Sequence, residues 1–152
     1  MNDQNETLKN SVNYFSKTTN IIQNNNILFN INDFGNEDMS HIDINFIEDI
    51  IKQMNTNSLI KFIEEVHYGN PKNCNVIIPT NIPAIQDNNL LLLKKGNKWV
   101  LDKRKNVIDD MLTMNIDRMA DVYEDLQPKL SKIEKTEFEN YVSDMENPNE
   151  KG

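Results

Sequence analysis

The sequence predicts an α+β fold: a helical domain with a small β-hairpin and further helices at its C-terminal end. Apolar residues recur three and four positions apart over residues 44–66 and again over 107–133, which is the spacing of one helix face. Between these stretches, two apolar runs flank Lys95-Gly96-Asn97, a Gly-containing sequence typical of hairpin turns. With 152 residues and 38% hydrophobic content, the chain has room for one domain with a modest core.

The first half of the chain predicts two helices and a short strand. Asp43 is the predicted N-cap of the first helix, and Thr56-Asn57-Ser58 is predicted to form a turn and the cap of the second. The second helix ends near His67, because Gly69 suits a helix stop. Residues 75–78 then predict a short strand. The apolar positions of the two helices are Ile44, Ile47, Ile50, Ile51, Met54, Leu59, Phe62, Ile63 and Val66.

The second half predicts the hairpin and the C-terminal helices. Four consecutive leucines show no alternation and leave a helix open, but the turn at Gly96 favours strands. A third helix is predicted after Asp102, which can cap it. Pro128 predicts a helix break near Gln127 and a last helix over about residues 128–145. A heptad-like spacing connects Ile116, Met119, Tyr123, Leu126, Leu130 and Ile133, which could pack inside the domain or in an intermolecular coil.

These elements divide the chain into four predicted segments. Residues 1–30 are polar and are predicted to be a flexible leader or a short helix, since a faint heptad runs through them. Residues 31–126 are predicted to form a single α+β domain, in which Gly35 takes a positive φ in a turn. A C-terminal helix over 127–145 and a disordered tail over 146–152 complete the prediction.

Charge and cysteine content exclude several classes of protein. The formal net charge is −8, which disfavours nucleic acid as a partner because binding phosphates requires a positive surface. The single cysteine excludes an intrachain disulfide and a zinc site built from several cysteines. No run approaches the roughly 18 apolar residues that cross a bilayer. We therefore expect an intracellular protein that does not enter a membrane.

The residues with catalytic potential lie between 67 and 99, and each has a structural explanation. His67 and Cys74 could form a nucleophilic pair, but a hydrogen-bonded histidine and a small packed thiol explain them equally well. Asn73 and Asn75 suit turn hydrogen bonds, and Trp99 suits a core position. A metal-dependent nuclease around His67 is a remote alternative, because no second histidine follows it. We expect no catalytic residue, cofactor or metal site.

A run of basic residues at the hairpin supports a second hypothesis. Lys94, Lys95, Lys98 and Arg104 are the candidate nucleic-acid contacts. Two helices, a hairpin and a third helix are similar to a winged-helix arrangement, in which a basic wing meets phosphate. The alternative is that this charged turn contacts only solvent and binds nothing.

Three segments together resemble a known domain. They are Phe34–Ile42 (FGNEDMSHI), Val66–Pro79 (VHYGNPKNCNVIIP), and Lys98-Trp99 followed by VIDDM at Val107–Met111. In this order they resemble a poorly characterised C-terminal domain of giant nucleocytoplasmic large DNA virus proteins, which often follows a zinc-finger-like segment and a coiled coil. The resemblance covers about residues 31–126 and makes His67, Asn73, Asn75 and Trp99 family markers. The chain departs from the pattern at Gly69, where Asn is usual, and at Cys74, where His is common.

The resemblance implies a viral origin and a module beside oligomerising or nucleic-acid-binding segments, but no established chemistry. We therefore expect a non-enzymatic interaction or self-association module, located in the cytoplasm of the infected host cell or in the virion. Its partner is an unidentified protein or a second copy of the chain. The alternative function is a nucleic-acid-binding accessory factor that uses the basic hairpin.

Overall fold

The computed structural model describes residues 30–79 and 89–149. Within these ranges the chain forms four α-helices and one three-stranded antiparallel sheet, which confirms the predicted α+β class. The helices are α1 (Ile44–Lys52), α2 (Thr56–Tyr68), α3 (Arg104–Leu126) and α4 (Lys132–Glu146), and the strands are β1 (Val76–Ile77), β2 (Leu90–Lys95) and β3 (Lys98–Lys103). All but the last residue of the predicted leader over 1–30, and the last three residues of the tail, lie outside the described residues.

The hairpin forms as the turn sequence predicts. β2 is the central strand, with β1 on one side and β3 on the other, and Leu92 lies opposite Leu101 in the β2–β3 register. Gly96 in the turn has a φ of 60°, and Gly35 has a φ of 96°, so both adopt the conformation that glycine reaches at low cost. The four leucines are therefore strand residues, and the alternative prediction of a helix for them is wrong.

Side-chain caps explain where the first two helices begin. The Asp43 carboxylate accepts a hydrogen bond from the Asn45 N–H at 2.7 Å, as predicted for the N-cap of α1. The turn predicted over Thr56–Ser58 is wrong, because these residues form the first turn of α2. Asn55 supplies the cap instead, since its Oδ1 accepts from the Ser58 N–H at 3.0 Å.

The C-terminal part contains one long helix, a break and a shorter helix. α3 runs without interruption for 23 residues, and a short 3₁₀ turn over Gln127–Lys129 follows at the break that Pro128 predicts. α4 begins at Lys132, later than predicted, because Ser131 and Glu134 form a capping box. The Ser131 Oγ accepts from the Glu134 N–H at 3.2 Å, and the Glu134 carboxylate accepts from the Ser131 N–H at 2.7 Å.

The chain divides into two compact units, each made from separate stretches of sequence. Among the described residues, the helical unit comprises 39–66 and 110–149, and the sheet unit comprises 30–38, 67–79 and 89–109. The helical unit buries a core from α1, α2, α3 and α4 that includes Phe62 and Phe138. In the sheet unit, Leu92 and Trp99 pack together under partly buried Ile31, Ile77, Leu90 and Leu101.

Most heptad positions of the C-terminal region are buried inside the helical unit. Its core includes Ile116, Met119, Tyr123, Leu126 and Leu130. Ile133, the last heptad position, is 69% exposed. Of the two arrangements that the heptad leaves open, the structure has the intramolecular one.

Candidate functional site

The densest polar cluster of the sheet unit lies where residues 31–38 meet the turn over residues 70–75. Asn73 is fully buried at its centre. Its Oδ1 accepts from the Asn32 Nδ2 and from the Asp38 N–H, both at 2.9 Å. Its Nδ2 donates to the Asp38 carbonyl at 2.7 Å. One amide side chain therefore holds two segments together that lie 35 residues or more apart in the sequence.

A buried acid, imidazole and amide lie beside Asn73. The His67 Nδ1 lies 3.1 Å from the Asn75 Oδ1 and 3.7 Å from the Glu37 Oε1. Asn75 donates from Nδ2 to the Glu37 Oε1 at 2.8 Å and to the Asn32 carbonyl at 3.2 Å. Because the Asn75 amide nitrogen faces Glu37, its oxygen faces His67, and the imidazole carries its proton on Nδ1.

This acid–imidazole–amide cluster has the composition of an acid–base site but no surface access. The side chains of His67 and Glu37 are both 0% exposed, and Phe34 stacks on the imidazole with a centroid separation of 6.2 Å. A general base must reach the proton that it abstracts, directly or through one water. The arrangement therefore positions backbone segments and offers no contact to a substrate.

Cys74 does not complete a nucleophilic pair with His67. Its Sγ lies 4.0 Å from the Asn70 carbonyl, and the imidazole is bonded to Asn75 instead. Burial raises the pKa of the Cys74 thiol. Because the thiolate is the reactive form, a raised pKa makes the group a weaker nucleophile at neutral pH.

The metal-dependent nuclease hypothesis gains no support from the geometry. Among residues 30–79 and 89–149, no three His, Cys, Asp or Glu side chains are grouped closely enough to hold a metal ion. His41, the other histidine, belongs to the helical unit, where its Nε2 contacts the Glu65 carbonyl at 2.7 Å. In the same described ranges, no helix is both long and apolar enough to cross a membrane.

The four candidate nucleic-acid contacts do not form one surface. Lys94 is committed to the fold, since its Nζ binds the Asp33 carboxylate at 3.0 Å and the Ile31 and Gly96 carbonyls. That hydrogen bond lowers the pKa of the Asp33 carboxyl. Lys95 and Lys98 are exposed and face each other across the turn.

Arg104 lies at the opposite end of β3 from the turn, roughly 17 Å away for five strand residues. Its backbone N–H donates to the Asn89 carbonyl at 2.6 Å, which places the start of α3 beside the start of β2. Trp99 is 4% exposed and packs in the sheet core, as its core interpretation predicts, so its ring offers no stacking platform.

A second basic group surrounds a concavity at this opposite end of the hairpin. The concavity has a volume of about 680 Å³. Its lining residues are Asn89, Leu90, Lys103, Arg104, Lys105, Ile108 and Asp109. The sequence signal for this site is the contiguous Lys103-Arg104-Lys105, of which only Arg104 was a predicted nucleic-acid contact.

The charge of the chain is divided unevenly between the two units. Among the described residues, the sheet unit carries seven Lys or Arg and five Asp or Glu. The described part of the helical unit carries six Lys or Arg and fifteen Asp or Glu. The formal net charges are therefore +2 and −9. The acidity of the whole chain resides in the helical unit and says little about what the sheet unit binds.

No protein-family model, no curated protein and no solved structure matches this chain. The resemblance to the giant-virus domain and the likeness to a winged helix therefore stay predictions.

Proposed function

We propose that this protein is a non-enzymatic interaction module that binds a protein partner. The observation that carries the proposal is the burial of the acid–imidazole–amide cluster. Its members Glu37, His67 and Asn75 are buried and contact one another, and Asn73 beside them holds two backbone segments together. The concave surface of the sheet unit, in contrast, is lined mainly by cations and apolar side chains. Groups with acid–base potential thus serve the fold, and the accessible chemistry is that of recognition.

Self-association remains part of the proposal, but not through the heptad. Five heptad residues are buried in the helical unit's own core, so an intermolecular coil would have to expose them at about 1.5–3 kcal/mol each. A dimer would have to use other surfaces. Multi-angle light scattering over a concentration series measures this directly, and a monomer at every concentration removes self-association.

The resemblance supports a viral origin and a location in the infected host cell's cytoplasm or in the virion. The direct test of the interaction function is capture of partners by the tagged full-length protein from the cells that naturally contain it. A protein that is retained after nuclease treatment, and that then binds the purified chain, supports the proposal. If nuclease treatment removes every retained component, the interaction-module proposal fails.

A nucleic-acid-binding accessory role is the second candidate function, and the positive charge of the sheet unit favours it. Its contacts would be the exposed Lys95 and Lys98, with Arg104 at the far end of the strand. Lys94 contributes less, because its ion pair with Asp33 already neutralises it. Retention of DNA that falls steeply with salt and is lost in a K95E/K98E variant supports this role. Retention unchanged by that variant refutes it.

A further inference from the structure

The concavity at the base of the hairpin has a charge pattern that its own fold does not require. Lys103 ends β3, and Arg104 and Lys105 begin α3, whose first turn contains no acidic residue. The N-terminus of a helix carries partial positive charge, so acids stabilise it and cations do not. Three consecutive cations at this position therefore act against the stability of a 23-residue helix.

Within the described residues these cations have no ion-pair partner. Among the described residues, none of the three side chains forms an ion pair, whereas Lys94 is paired with Asp33. The Nε of Arg104 is buried and has no hydrogen-bond partner among those residues. A buried donor that lacks an acceptor is costly.

The remaining lining is apolar and shapes what can enter. Leu90 is partly buried, and Ile108 is 44% exposed, so an aliphatic surface lies beside the charged cluster. A volume of about 680 Å³ is in the range of pockets that hold small molecules or several peptide residues. The concavity thus presents cations and an aliphatic surface together.

We propose that this concavity is a docking site for an acidic peptide segment of a protein partner, with an aliphatic side chain of that segment against Ile108. Carboxylates would bind Lys103, Arg104 and Lys105, so charge complementarity selects the occupant. The inference rests on the proposed interaction function and names its site and the class of partner.

A nucleic acid fits this site less well. Surfaces that bind single-stranded nucleic acid usually combine a continuous basic track with exposed aromatic rings. Here the cations fall into two groups at opposite ends of β3, and Trp99 is buried. The aliphatic side chain of Ile108 on the lining has no counterpart in a phosphate backbone.

Fluorescence anisotropy tests the proposal with the full-length chain and a short fluorescein-labelled peptide of Glu and Leu. A K103E/K105E variant is expected to weaken binding by at least about tenfold, since two attractive charges become repulsive. The matched control is K95E/K98E at the turn, which changes the net charge equally and is expected to leave affinity within about twofold. An equal loss in both variants would mean nonspecific attraction and would overturn the proposal.

Two further arms identify the ligand chemistry. A peptide of Asp and Gly with the same charge is expected to bind more weakly, and I108S should remove the difference between the two peptides without altering the circular dichroism spectrum. The peptide assignment is overturned if a single-stranded oligonucleotide binds more tightly than either peptide and K103E/K105E abolishes that binding. It is also overturned if the wild-type protein binds neither peptide. If a captured partner is retained by K103E/K105E, this site is refuted while the interaction function stands.

Discussion

Truncation of Asn73 to alanine is expected to be the most damaging single change in the polar cluster of the sheet unit. The substitution removes three hydrogen bonds between 2.7 and 2.9 Å at a fully buried position. Each lost hydrogen bond costs about 1 kcal/mol, and the Asp38 peptide groups and the Asn32 amide lose these partners. The free energy of unfolding should therefore fall by about 3 kcal/mol. That is a large fraction of the 5–15 kcal/mol typical of a domain.

Urea denaturation followed by Trp99 fluorescence measures this loss, because Trp99 is the only tryptophan and lies in the sheet core. The matched control is Asn70→Ala in the same turn. Its Oδ1 accepts one exposed hydrogen bond, from the Lys72 N–H at 3.0 Å, so the expected cost is about 1 kcal/mol or less. If N73A costs no more than N70A, the structural role assigned to this cluster is wrong.

A second variant, Asn73→Asp, separates hydrogen bonding from packing. It keeps the side-chain size and one acceptor, but it places a carboxylate oxygen where Nδ2 donates to the Asp38 carbonyl at 2.7 Å. The introduced carboxyl should have a raised pKa, since burial and a facing oxygen disfavour its charged form. Stability should therefore recover as pH falls and the carboxyl is protonated. A loss independent of pH would contradict the assignment.

Three further predictions concern single side chains. Burial and the Glu139 carboxylate raise the pKa of Tyr123 to about 12 from 10.0, so its phenol should stay protonated in the folded protein. The folded protein should therefore lose stability as pH rises from about 10 towards 12. Absorbance of the phenolate at alkaline pH measures this pKa, and a titration near 10.0 would disprove the prediction. Ser131→Ala should cost about 1 kcal/mol in thermal or urea unfolding through loss of the capping box with Glu134, and Thr at this position should retain most of the stability. Cys74 should be alkylated more slowly in the folded chain than in urea, because burial raises its pKa; equal rates would contradict that.

The uneven division of charge changes how the acidity of this protein is interpreted. A net charge of −8 disfavours a polyanionic partner for the chain as a whole. The described sheet unit, however, is net positive, and it contains the concavity with Lys103, Arg104 and Lys105. Each unit is assembled from stretches that are not contiguous, so no window of sequence reports its charge.

Local patterns predicted most of the secondary structure. Asp43, Gly96 and Pro128 each fix their element through the backbone of immediate neighbours, and all three act as predicted. The start of α4 was misplaced because Pro128 lies in a 3₁₀ turn before the helix. The start of α2 was misplaced because several polar residues in a row can cap a helix. Which of them does so depends on which side-chain oxygen reaches a helical N–H, as Asn55 and Ser131 do here.

The sequence also named His67, Asn73, Asn75 and Trp99 as notable, but it could not say what they contact. The carboxylate beside His67 belongs to Glu37, and Asn73 bonds to Asp38, partners some 30 or more residues away. Similarly, nothing local separates Lys94, which is held by Asp33, from Lys95, which is exposed.

Helix and strand formation, the hairpin and the acidic composition follow from residue types and short spacings, because their hydrogen bonds and dihedral preferences involve near neighbours. The closed polar cluster, the separation of the cations into two groups and the partition of charge between units follow from tertiary packing. That packing brings distant segments together, and it alone determines which polar side chains are hydrogen-bonded inside the protein and which remain exposed.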